Sequence, residues 1–366
     1  MRALRLLKTE LRGRFDDAKR RSHFELSGKI GDENQILHLR GDEQAVFEMK
    51  SIFFDGIADV RALAADQFGR NCDFSVKVNG LLPEKIGFRF QNTLEAFLPR
   101  LDSSDQLMGR IGKSTRNILN SAVNLSLELV EGKTLEDLRF FYDKMLVPFA
   151  KERHGEKYWL PPFEEFEAVW PENLFLYFVK RDGKRIAGEV FLHNKGLNQL
   201  TEWRFGIIEE CSADQRLVSA CNNWMTLQFY HIAIDMGVDR ISLGQVSSRL
   251  DDGIFRFKCK WKACFTDVPG NIRYSLKFHS EKSSRILRVV QLVTWKNDKA
   301  VALLVLSGLD RIDELLEAVN GAFFDNLQIN LYLEKGIDSA LVRDRLMKNE
   351  NRSRFNVLSV EALLAL

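Results

Sequence analysis

Alternating apolar and polar positions in the first hundred residues predict short strands. The runs QILHL, FSVKV and IGFRF place apolar side chains at every second position. Between the first two runs, apolar residues return with helical spacing, which predicts a helix over Phe54–Gln67. The first part of the chain is therefore expected to combine a sheet with a helix.

A helix, a strand and a second helix are predicted next. The segment SSDQLMGRIGKSTRNILNSAV has a stripe of leucine and isoleucine, with Ser103 or Ser104 as its N-cap. LSLELV follows as a strand. The next helix begins at Thr134, in a T-x-x-D arrangement, and ends at Gly155.

Three further runs, NLFLYFVKRDGK, RIAGEVFLHNKG and NQLTEWRFGI, predict an antiparallel meander. The dipeptides Asp182-Gly183 and Lys195-Gly196 are turn sequences of the kind that joins hairpin strands. The longest helix is expected next, over Ala213–Met236, with Ser212 as N-cap and Gln215 completing a capping box. The strand DRISLG follows it.

The stretch GIFRFKCKWKACF alternates aromatic and basic residues and admits three interpretations. As a strand it has one aromatic and one cationic face, which suits RNA, while its two cysteines suggest half of a metal site. As a helix capped by Asp251 or Asp252, it places Phe257, Trp261 and Cys264 on one side for core packing. The cysteines lack cysteine or histidine partners at ligand spacing, so a metal half-site is not supported. The cap and the packing side favour the helix.

Strand-like and helical segments alternate again near the end of the chain. They run in the order IRYSLKF, SSRILRVVQLV, AVALLVL, DRIDELLEAV, LQINLYL and SALVRDRLM. This pattern predicts a small α/β appendage over residues 269–366.

Composition indicates a globular protein without a dominant charge. The 366 residues carry 53 Lys and Arg against 51 Asp and Glu, so a nucleic-acid site would have to be local. Five scattered cysteines and the lack of a long apolar run favour a reducing, cytoplasmic location. Residues 1–21 predict a basic amphipathic helix, docked on its own domain or in peripheral contact with a membrane. No metal-site or P-loop motif is present, so no metal and no tightly bound cofactor is expected.

Four sequence motifs, in order, carry a resemblance to a known family. They are GKSTRNILNSAV, the strand IAGEVFL, the helix-to-strand passage AIDMGVDRISLG, and DDGIFRFKCKW with its glycine and Phe-Lys element. The region Asp105–Phe265 resembles the acyltransferase domain of FemAB-like peptidoglycan aminoacyltransferases and of acetyltransferases in polysaccharide biosynthesis, both of the GNAT fold.

The resemblance implies an α/β (α+β) class, with a GNAT-like mixed central sheet flanked by helices. It divides the chain into a reduced first GNAT-like half with the basic helix (residues 1–102), an acyltransferase domain (103–268) and the C-terminal appendage (269–366). Two adjacent parallel strands, within LTEWRFG and RISLG, are expected to separate at their C-terminal ends.

The resemblance also implies a donor site at that separation. An acyl-CoA such as acetyl-CoA, or an aminoacyl-tRNA, would lie between the strands, with its phosphates at the N-terminus of the following helix. The expected donor-binding residues are Ser212, Gln215, Arg216, Gly244 and Thr201. The helix start lacks the glycine loop of acetyl-CoA enzymes and carries Asp214, whose carboxylate competes with a pyrophosphate.

The family's Phe-Lys element corresponds to Phe257 and Lys258, with the lysine offsetting negative charge that develops during acyl transfer. Glu202 and Glu189 are the candidate bases for the acceptor amine. The alternative for Glu202 is a plain salt bridge with Arg204 on the same strand face, and water can also carry the proton away.

Expected acceptor-binding residues are Lys113 and Arg116, one turn apart on a helix, and Tyr158 and Trp159 in a proline-containing loop. Each is also compatible with an ordinary surface or packing role. The sequence thus predicts an N-acyltransferase acting on an amine of a cell-envelope or polysaccharide precursor. The alternative is a catalytically silent GNAT-like binding or assembly module.

Overall fold

The protein is represented by a computed structural model. It describes residues 22–30, 33–41, 43–54, 58–63, 67, 72–78, 88–155, 160–268, 271, 273–279, 287, 290–296, 299–320, 327–349 and 352–364. The predicted basic helix over residues 1–21 lies outside these ranges. No helix within them is long and apolar enough to cross a membrane.

The strands are β1 (Ser22–Ile30), β2 (Glu33–Gly41), β3 (Asp59–Ala62), β4 (Phe74–Val78), β5 (Phe88–Phe90), β6 (Thr93–Leu98), β7 (Glu128–Gly132), β8 (Leu174–Arg181), β9 (Lys184–Asn194), β10 (Gln199–Ile207), β11 (Arg240–Ser247), β12 (Cys264–Asp267), β13 (Tyr274–Phe278), β14 (Leu292–Lys296), β15 (Lys299–Leu306), β16 (Gln328–Leu333) and β17 (Phe355–Ser359).

The α-helices are α1 (Glu43–Phe54), α2 (Ser104–Arg110), α3 (Lys113–Val123), α4 (Leu135–Phe141), α5 (Val147–His154), α6 (Phe163–Val169), α7 (Glu209–Ser212), α8 (Gln215–Asp235), α9 (Gly253–Lys260), α10 (Ile312–Asn320), α11 (Ser339–Met347) and α12 (Val360–Leu364). A π-helical segment, Tyr142–Leu146, joins α4 to α5.

The chain forms two compact units. The first contains the described residues within Met1–Leu94, Val246–Arg256 and Asp267–Leu366, and the second contains those within Glu95–Gln245 and Phe257–Thr266. The expected three segments, 1–102, 103–268 and 269–366, do not coincide with these units. The C-terminal segment is not a separate appendage, because its strands pair with N-terminal strands.

The first unit is built on a ten-stranded sheet in the order β17-β16-β15-β14-β5-β13-β4-β2-β1-β3. C-terminal β13 lies between β4 and β5 and is antiparallel to both. β15, β16 and β17 run parallel, with α10 and α11 between them in the chain. One face buries an apolar core that includes Leu39, Met49, Phe74 and Tyr274.

The helix predicted over Phe54–Gln67 is wrong in position. The structure places α1 at Glu43–Phe54, so the predicted start is its last residue, and β3 occupies Asp59–Ala62. α1 buries Met49 and Phe53 in the core. Burial of these residues in the folded unit outweighs the apolar spacing that continues downstream of Phe54.

The second unit is built on a seven-stranded sheet in the order β12-β6-β11-β10-β9-β8-β7. β8, β9 and β10 form the predicted antiparallel meander, and β10 pairs in parallel with β11. The Asp182-Gly183 turn has positive φ at both residues, as a tight hairpin requires. The expected mixed sheet is therefore confirmed.

The helical segment over α4 and α5 covers one face of this sheet. Phe141 and Met145 from this segment join Phe178 and Val190 from the sheet in a buried core. At Gly206 the π-helical segment lies so close that a built Cβ would be 2.7 Å from the carbonyl carbon of Met145. A side chain larger than hydrogen would push this segment off β10.

Helix caps were predicted with mixed success in this unit. Ser103 accepts a hydrogen bond from the Gln106 amide, and Thr134 forms a reciprocal capping box with Asp137, both as predicted. The longest helix does not begin with Ser212 as its N-cap. Its N-cap is Asp214, two residues later. The Asp214 carboxylate accepts hydrogen bonds from two backbone amides in the first turn of the helix.

The GIFRFKCKWKACF stretch is helical over α9, as favoured, and Asp252 is its cap. Oδ1 of Asp252 accepts from the Phe255 amide at 2.8 Å. The predicted packing side is partly wrong, because Cys264 is exposed in β12. The buried residues of this stretch are Phe255, Lys258, Cys259, Trp261, Ala263 and Phe265.

Candidate functional site

The parallel pair β10–β11 is in register over only three residues. Gln199–Thr201 faces Arg240–Ser242, and no further pairs continue the ladder. Beyond them β11 turns at Gly244, which has φ +75°, and a built Cβ there would lie 3.0 Å from the Glu202 carbonyl oxygen. Glycine is therefore required where the two strands stop pairing. This agrees with the separation that the sequence motifs implied.

A β-bulge at Trp203 interrupts β10 beside this point. Glu202 pairs with Phe191, and Arg204 pairs with the next residue back along β9, Val190. Adjacent residues of a strand point to opposite faces, so the bulge sends Glu202 and Arg204 to opposite faces of the sheet. Arg204 donates instead to the Trp203 carbonyl oxygen at 2.9 Å. The predicted alternative, a same-face salt bridge, is wrong for this reason.

Glu202 and Glu189 share the other face, diagonally across β9 and β10. Glu189 is only 2% exposed, whereas Glu202 is half-buried. Helix α8 packs over this face, with the Phe229 ring 4.9 Å from that of Phe191. Two carboxyl groups are thus held together beneath a helix, and Glu202 is the less buried residue of the two.

This arrangement shifts the titration of both carboxyl groups. Burial, the charge of Glu202 and a hydrogen bond with it raise the pKa of Glu189 well above its ordinary value. Burial also raises the pKa of Glu202 to about 7, although Thr226 and the charge of Lys258 act to lower it. Because two close carboxylates in a dry site repel each other, the pair retains a proton near neutral pH.

Thr226 on α8 can serve Glu202 in either protonation state. Its Oγ1 lies 2.7 Å from Oε1 of Glu202 and 3.1 Å from the Asn222 carbonyl oxygen. A hydroxyl has a single hydrogen, so it donates to an ionised Glu202, or to Asn222 while accepting from a protonated Glu202. The sequence interpretation missed Thr226. Its signal is a polar residue on the buried face of an apolar helix.

Lys258 is buried, with 4% exposure. Its ammonium group binds β11 just beyond the residues that pair with β10. Nζ donates to the carbonyl oxygens of Gly244 at 2.9 Å and Gln245 at 2.8 Å. Its positive charge acts on Glu202. Phe257, the preceding residue, is half-buried. The predicted lysine therefore lies with Gly244 and the carboxyl pair.

The start of α8 is occupied by its own cap. Oδ1 of Asp214 accepts from the amides of Arg216 at 3.0 Å and Leu217 at 3.1 Å. Ser212 is buried and donates to the Glu209 carbonyl oxygen, and Gln215 donates to the Ser212 carbonyl oxygen. These amides are the groups that the donor's phosphates were expected to use.

Of the expected acceptor residues, the structure describes Lys113 and Arg116, and these two differ in their surroundings. Lys113 is exposed at the first residue of α3. The Arg116 guanidinium donates to the carbonyl oxygens of Ile111 at 2.6 Å and Met108 at 3.3 Å, so it anchors the junction of two helices. Tyr158 and Trp159 lie outside the described residues.

Comparison with known proteins found no matching family model and no matching curated protein. Among solved structures, the chain is similar to FemX, with 12% identity and a TM-score of 0.41, over 71% of this chain and 90% of FemX. It is similar to L-PGS from Bacillus licheniformis, with 14% identity and a TM-score of 0.34, over 74% and 86%. It is also similar to the ribosomal-protein-S18-alanine N-acetyltransferase from Escherichia coli, with 10% identity and a TM-score of 0.26, over 41% and 90%.

The second unit has the features that the sequence motifs implied: an antiparallel meander, a parallel strand pair that separates, and a long helix between the paired strands. By this architecture the unit has the GNAT-like α/β fold that the resemblance implied.

Proposed function

We propose that this protein is an N-acyltransferase that moves an acyl or aminoacyl group to an amine of a cell-envelope or polysaccharide precursor. The observation that supports this proposal is the Glu189–Glu202 pair, which lies beside Lys258 at the point where β10 and β11 separate. Acyl transfer to an amine requires a proton acceptor and compensation for charge on the acyl oxygen. Both chemical groups are present at one place.

Glu202 is the residue proposed to take the proton. As the amine nitrogen forms its bond to the acyl carbon, one N–H proton passes to Glu202, directly or through a water. The C–S bond of a thioester or the C–O bond of an ester then breaks, and the leaving sulfur or oxygen takes a proton. With a pKa of about 7, Glu202 is matched to accept and return a proton near neutral pH.

Lys258 is proposed to compensate the negative charge of the tetrahedral intermediate. It is held at the strand opening by two carbonyl oxygens, which carry no net charge themselves. A buried charge acts more strongly than a charge in water. Gly244 and Thr201, at the same opening, would border the donor.

The cap of α8 favours an aminoacyl-tRNA over an acyl-CoA as donor. A CoA pyrophosphate bound at Ser212, Gln215 and Arg216 would have to displace the Asp214 carboxylate from two amides and bear its charge. An aminoacyl ester brings its reacting group without needing a pyrophosphate at this helix. Lys113 is the exposed cation proposed to attract an anionic acceptor.

The test is transfer of a labelled acyl group, from acetyl-CoA or from aminoacyl-tRNA, to amino-sugar and peptide amines. Glu202→Gln should reduce the rate by about 100-fold or more, as expected for loss of a general base. Glu128→Gln, at an exposed position of β7, is the matched control and should leave the rate unchanged. Equal rates for Glu202→Gln and wild type would contradict the assignment.

The pH profile supplies a second readout. The wild-type rate should rise through a pH of about 7, as Glu202 loses its proton. Thr226→Val removes the hydrogen bond that lowers the pKa of Glu202, so the rise should move to higher pH. A profile that stays in place would remove Glu202 from the proton step.

A silent binding module is the second candidate, and the blocked helix start is the observation that favours it. It predicts no turnover with either donor class, and no thermal stabilisation by any acyl donor. Stabilisation by an acyl-CoA or an aminoacyl-tRNA would contradict it.

A further inference from the structure

A second polar cluster lies on β6, β10 and β11, and none of its three central residues was singled out by the sequence. Oε1 of Glu95 accepts from Nε2 of Gln199 at 2.9 Å and from Oγ of Ser242 at 3.0 Å. Nε2 of Gln199 also donates to Oγ1 of Thr201 at 3.0 Å, and the Gly244 amide donates to Ser242. The three side chains Glu95, Gln199 and Ser242 are called the Glu95 cluster below.

The Glu95 cluster is built from buried groups around one accessible carboxylate. Gln199 is 6% exposed and Ser242 is fully buried, whereas Glu95 is half-buried and can meet a ligand. Oε1 of Gln199 is buried and has no hydrogen-bond partner. Within the described part of the chain, no lysine, arginine or histidine forms an ion pair with Glu95.

The hydrogen-bonding inventory defines what this cluster can still bind. Both hydrogens of the Gln199 amide and the single hydrogen of the Ser242 hydroxyl are already donated within the protein. What remains is the Glu95 carboxylate and the Gln199 carbonyl oxygen, which are acceptors only. A complementary ligand must therefore bring several donors and a positive charge. A phosphate or an acetyl group brings neither.

The position of the cluster connects it with acyl transfer. Gln199, Thr201 and Ser242 belong to the three-residue stretch in which β10 and β11 still pair. Glu202 is the next residue along β10, and its side chain points to the opposite face of the sheet from those of Gln199 and Thr201. A group bound at Glu95 is thus held where the β10–β11 pairing ends, on the opposite face of the sheet from the Glu202 carboxyl group.

We propose that the Glu95 cluster binds the ammonium group of a substrate. This inference rests on the proposed function for the identity of that substrate, which has two possible sources. One is the α-ammonium of an aminoacyl donor, and the other is the protonated amine of the acceptor. Both present three N–H donors and a positive charge to Glu95.

The test uses small probes in matched pairs with the 366-residue protein. Glycinamide carries the α-ammonium of an aminoacyl group, and acetamide lacks it; glucosamine carries a sugar amine, and glucose lacks it. Affinities are measured by chemical-shift titration at pH 7. Wild type should prefer at least one ammonium probe over its neutral partner by about tenfold, as for a hydrogen bond between charged groups. Preference for glycinamide identifies the donor as the source, and preference for glucosamine identifies the acceptor.

Glu95→Gln keeps the shape of the side chain and removes its charge, so it should abolish that preference. Glu128→Gln is the control and should retain it. No preference in wild type would overturn the proposal whether or not Glu95→Gln folds, and so would an unchanged preference in a folded Glu95→Gln. Ammonium binding by a protein without transferase activity would uphold the cluster and contradict the proposed function instead.

Discussion

Glu189 and Glu202 lie on adjacent antiparallel strands, and burial makes ionisation of both groups at once unfavourable. The pair is supplied with one hydroxyl, from Thr226, and one nearby cation, Lys258. Oε2 of Glu189 is buried without a hydrogen-bond partner, which is less costly for a carboxyl group that keeps its proton. The raised pKa values of Glu189 and Glu202 therefore favour a pair that holds a proton over a pair in which both carboxyl groups are ionised.

Replacing Glu189 by glutamine should change the pH dependence of stability. The pKa of Glu202 is about 7 in the folded state and that of Glu189 is also raised, so folding is favoured while the pair holds its protons. The pair's contribution is full below a pH of about 4.5 and is lost as the pH rises through about 7. Glu189→Gln removes one of these titrations. Its melting temperature should exceed that of wild type at pH 8, by roughly 3 °C or more, and should lose this advantage at pH 4.5.

Thermal melts followed by circular dichroism across this range test the prediction, with Glu128→Gln as control. A constant difference between Glu189→Gln and wild type at all pH values would show that the carboxyl pair does not titrate between these limits.

The strand opening is the decisive feature at the scale of elements. It is produced by a bulge in β10 and by a glycine of positive φ in β11. Strict alternation along LTEWRFG predicts that Glu202 and Arg204 share a face, and one extra residue reverses that result. Bulges of this kind depend on packing between strands and leave no period in the sequence. The meander and the Thr134 capping box are local, and they were predicted correctly.

Replacing Gly244 by alanine should destabilise the protein by about 1–3 kcal/mol, since the residue would keep a left-handed conformation and press on the Glu202 carbonyl oxygen. Gly253→Ala is the matched control, because nothing lies within 4 Å of its built Cβ. Urea denaturation of both variants measures the difference. Equal midpoints would mean that β11 relaxes to accept the methyl group.

Two variants at Asp214 separate its cap from its charge. Asp214→Asn retains a capping oxygen and should cost less than about 0.5 kcal/mol, while Asp214→Ala should cost about 1 kcal/mol. If the carboxylate repels phosphates, inorganic pyrophosphate should bind Asp214→Asn more tightly than wild type. Thermal melts and calorimetric titration give the two readouts. Unchanged pyrophosphate binding would show that this helix start is not limited by its charge.

The N-cap of α8 also shows where sequence reasoning stops. Ser212 followed by Gln215 fits a capping box, and Asp214 fits an N-cap equally well. The choice between these two caps depends on α7, which ends at Ser212. The Ser212 hydroxyl donates to the Glu209 carbonyl oxygen within α7 and so does not cap α8. Lys258 was identified from the Phe-Lys motif, and Glu189 and Glu202 were identified as carboxylates on the meander strands. The Glu95 cluster was missed because its members come from three distant segments.

The two ends of the chain are joined in one sheet of the first unit. The first unit gathers its sheet from both ends of the sequence, and β13 supplies a central strand between β4 and β5. The alternation of strands and helices after residue 268 was predicted, but not its partner. The alternation of apolar and polar residues in a strand indicates which face is buried, but it does not identify the strand that pairs with it.

Ending the chain at residue 268 should therefore unfold the first unit rather than remove an appendage. β4 and β5 would each lose β13, and the core would lose Tyr274 and Leu276. Ending it at residue 349 removes the edge strand β17 and α12, which supplies Val360 and Leu363 to the core, and it is the milder control because β13 stays in place. Limited proteolysis should cut the shorter protein rapidly within residues 22–90. Equal resistance of both truncations would favour the three-domain division.

The insertion of β13 between β4 and β5 also delays the pairing of β4 during synthesis of the chain. β4 ends at residue 78, and its partner begins at residue 274, so the ribosome must add 196 residues before the two can pair. At about 5–20 residues per second, that interval lasts about 10–40 s. During it the edge of β4 that pairs with β13 has no strand partner, while all of Glu95–Gln245 is translated. The nascent chain therefore has a defined period in which holding chaperones would act on its N-terminal strands.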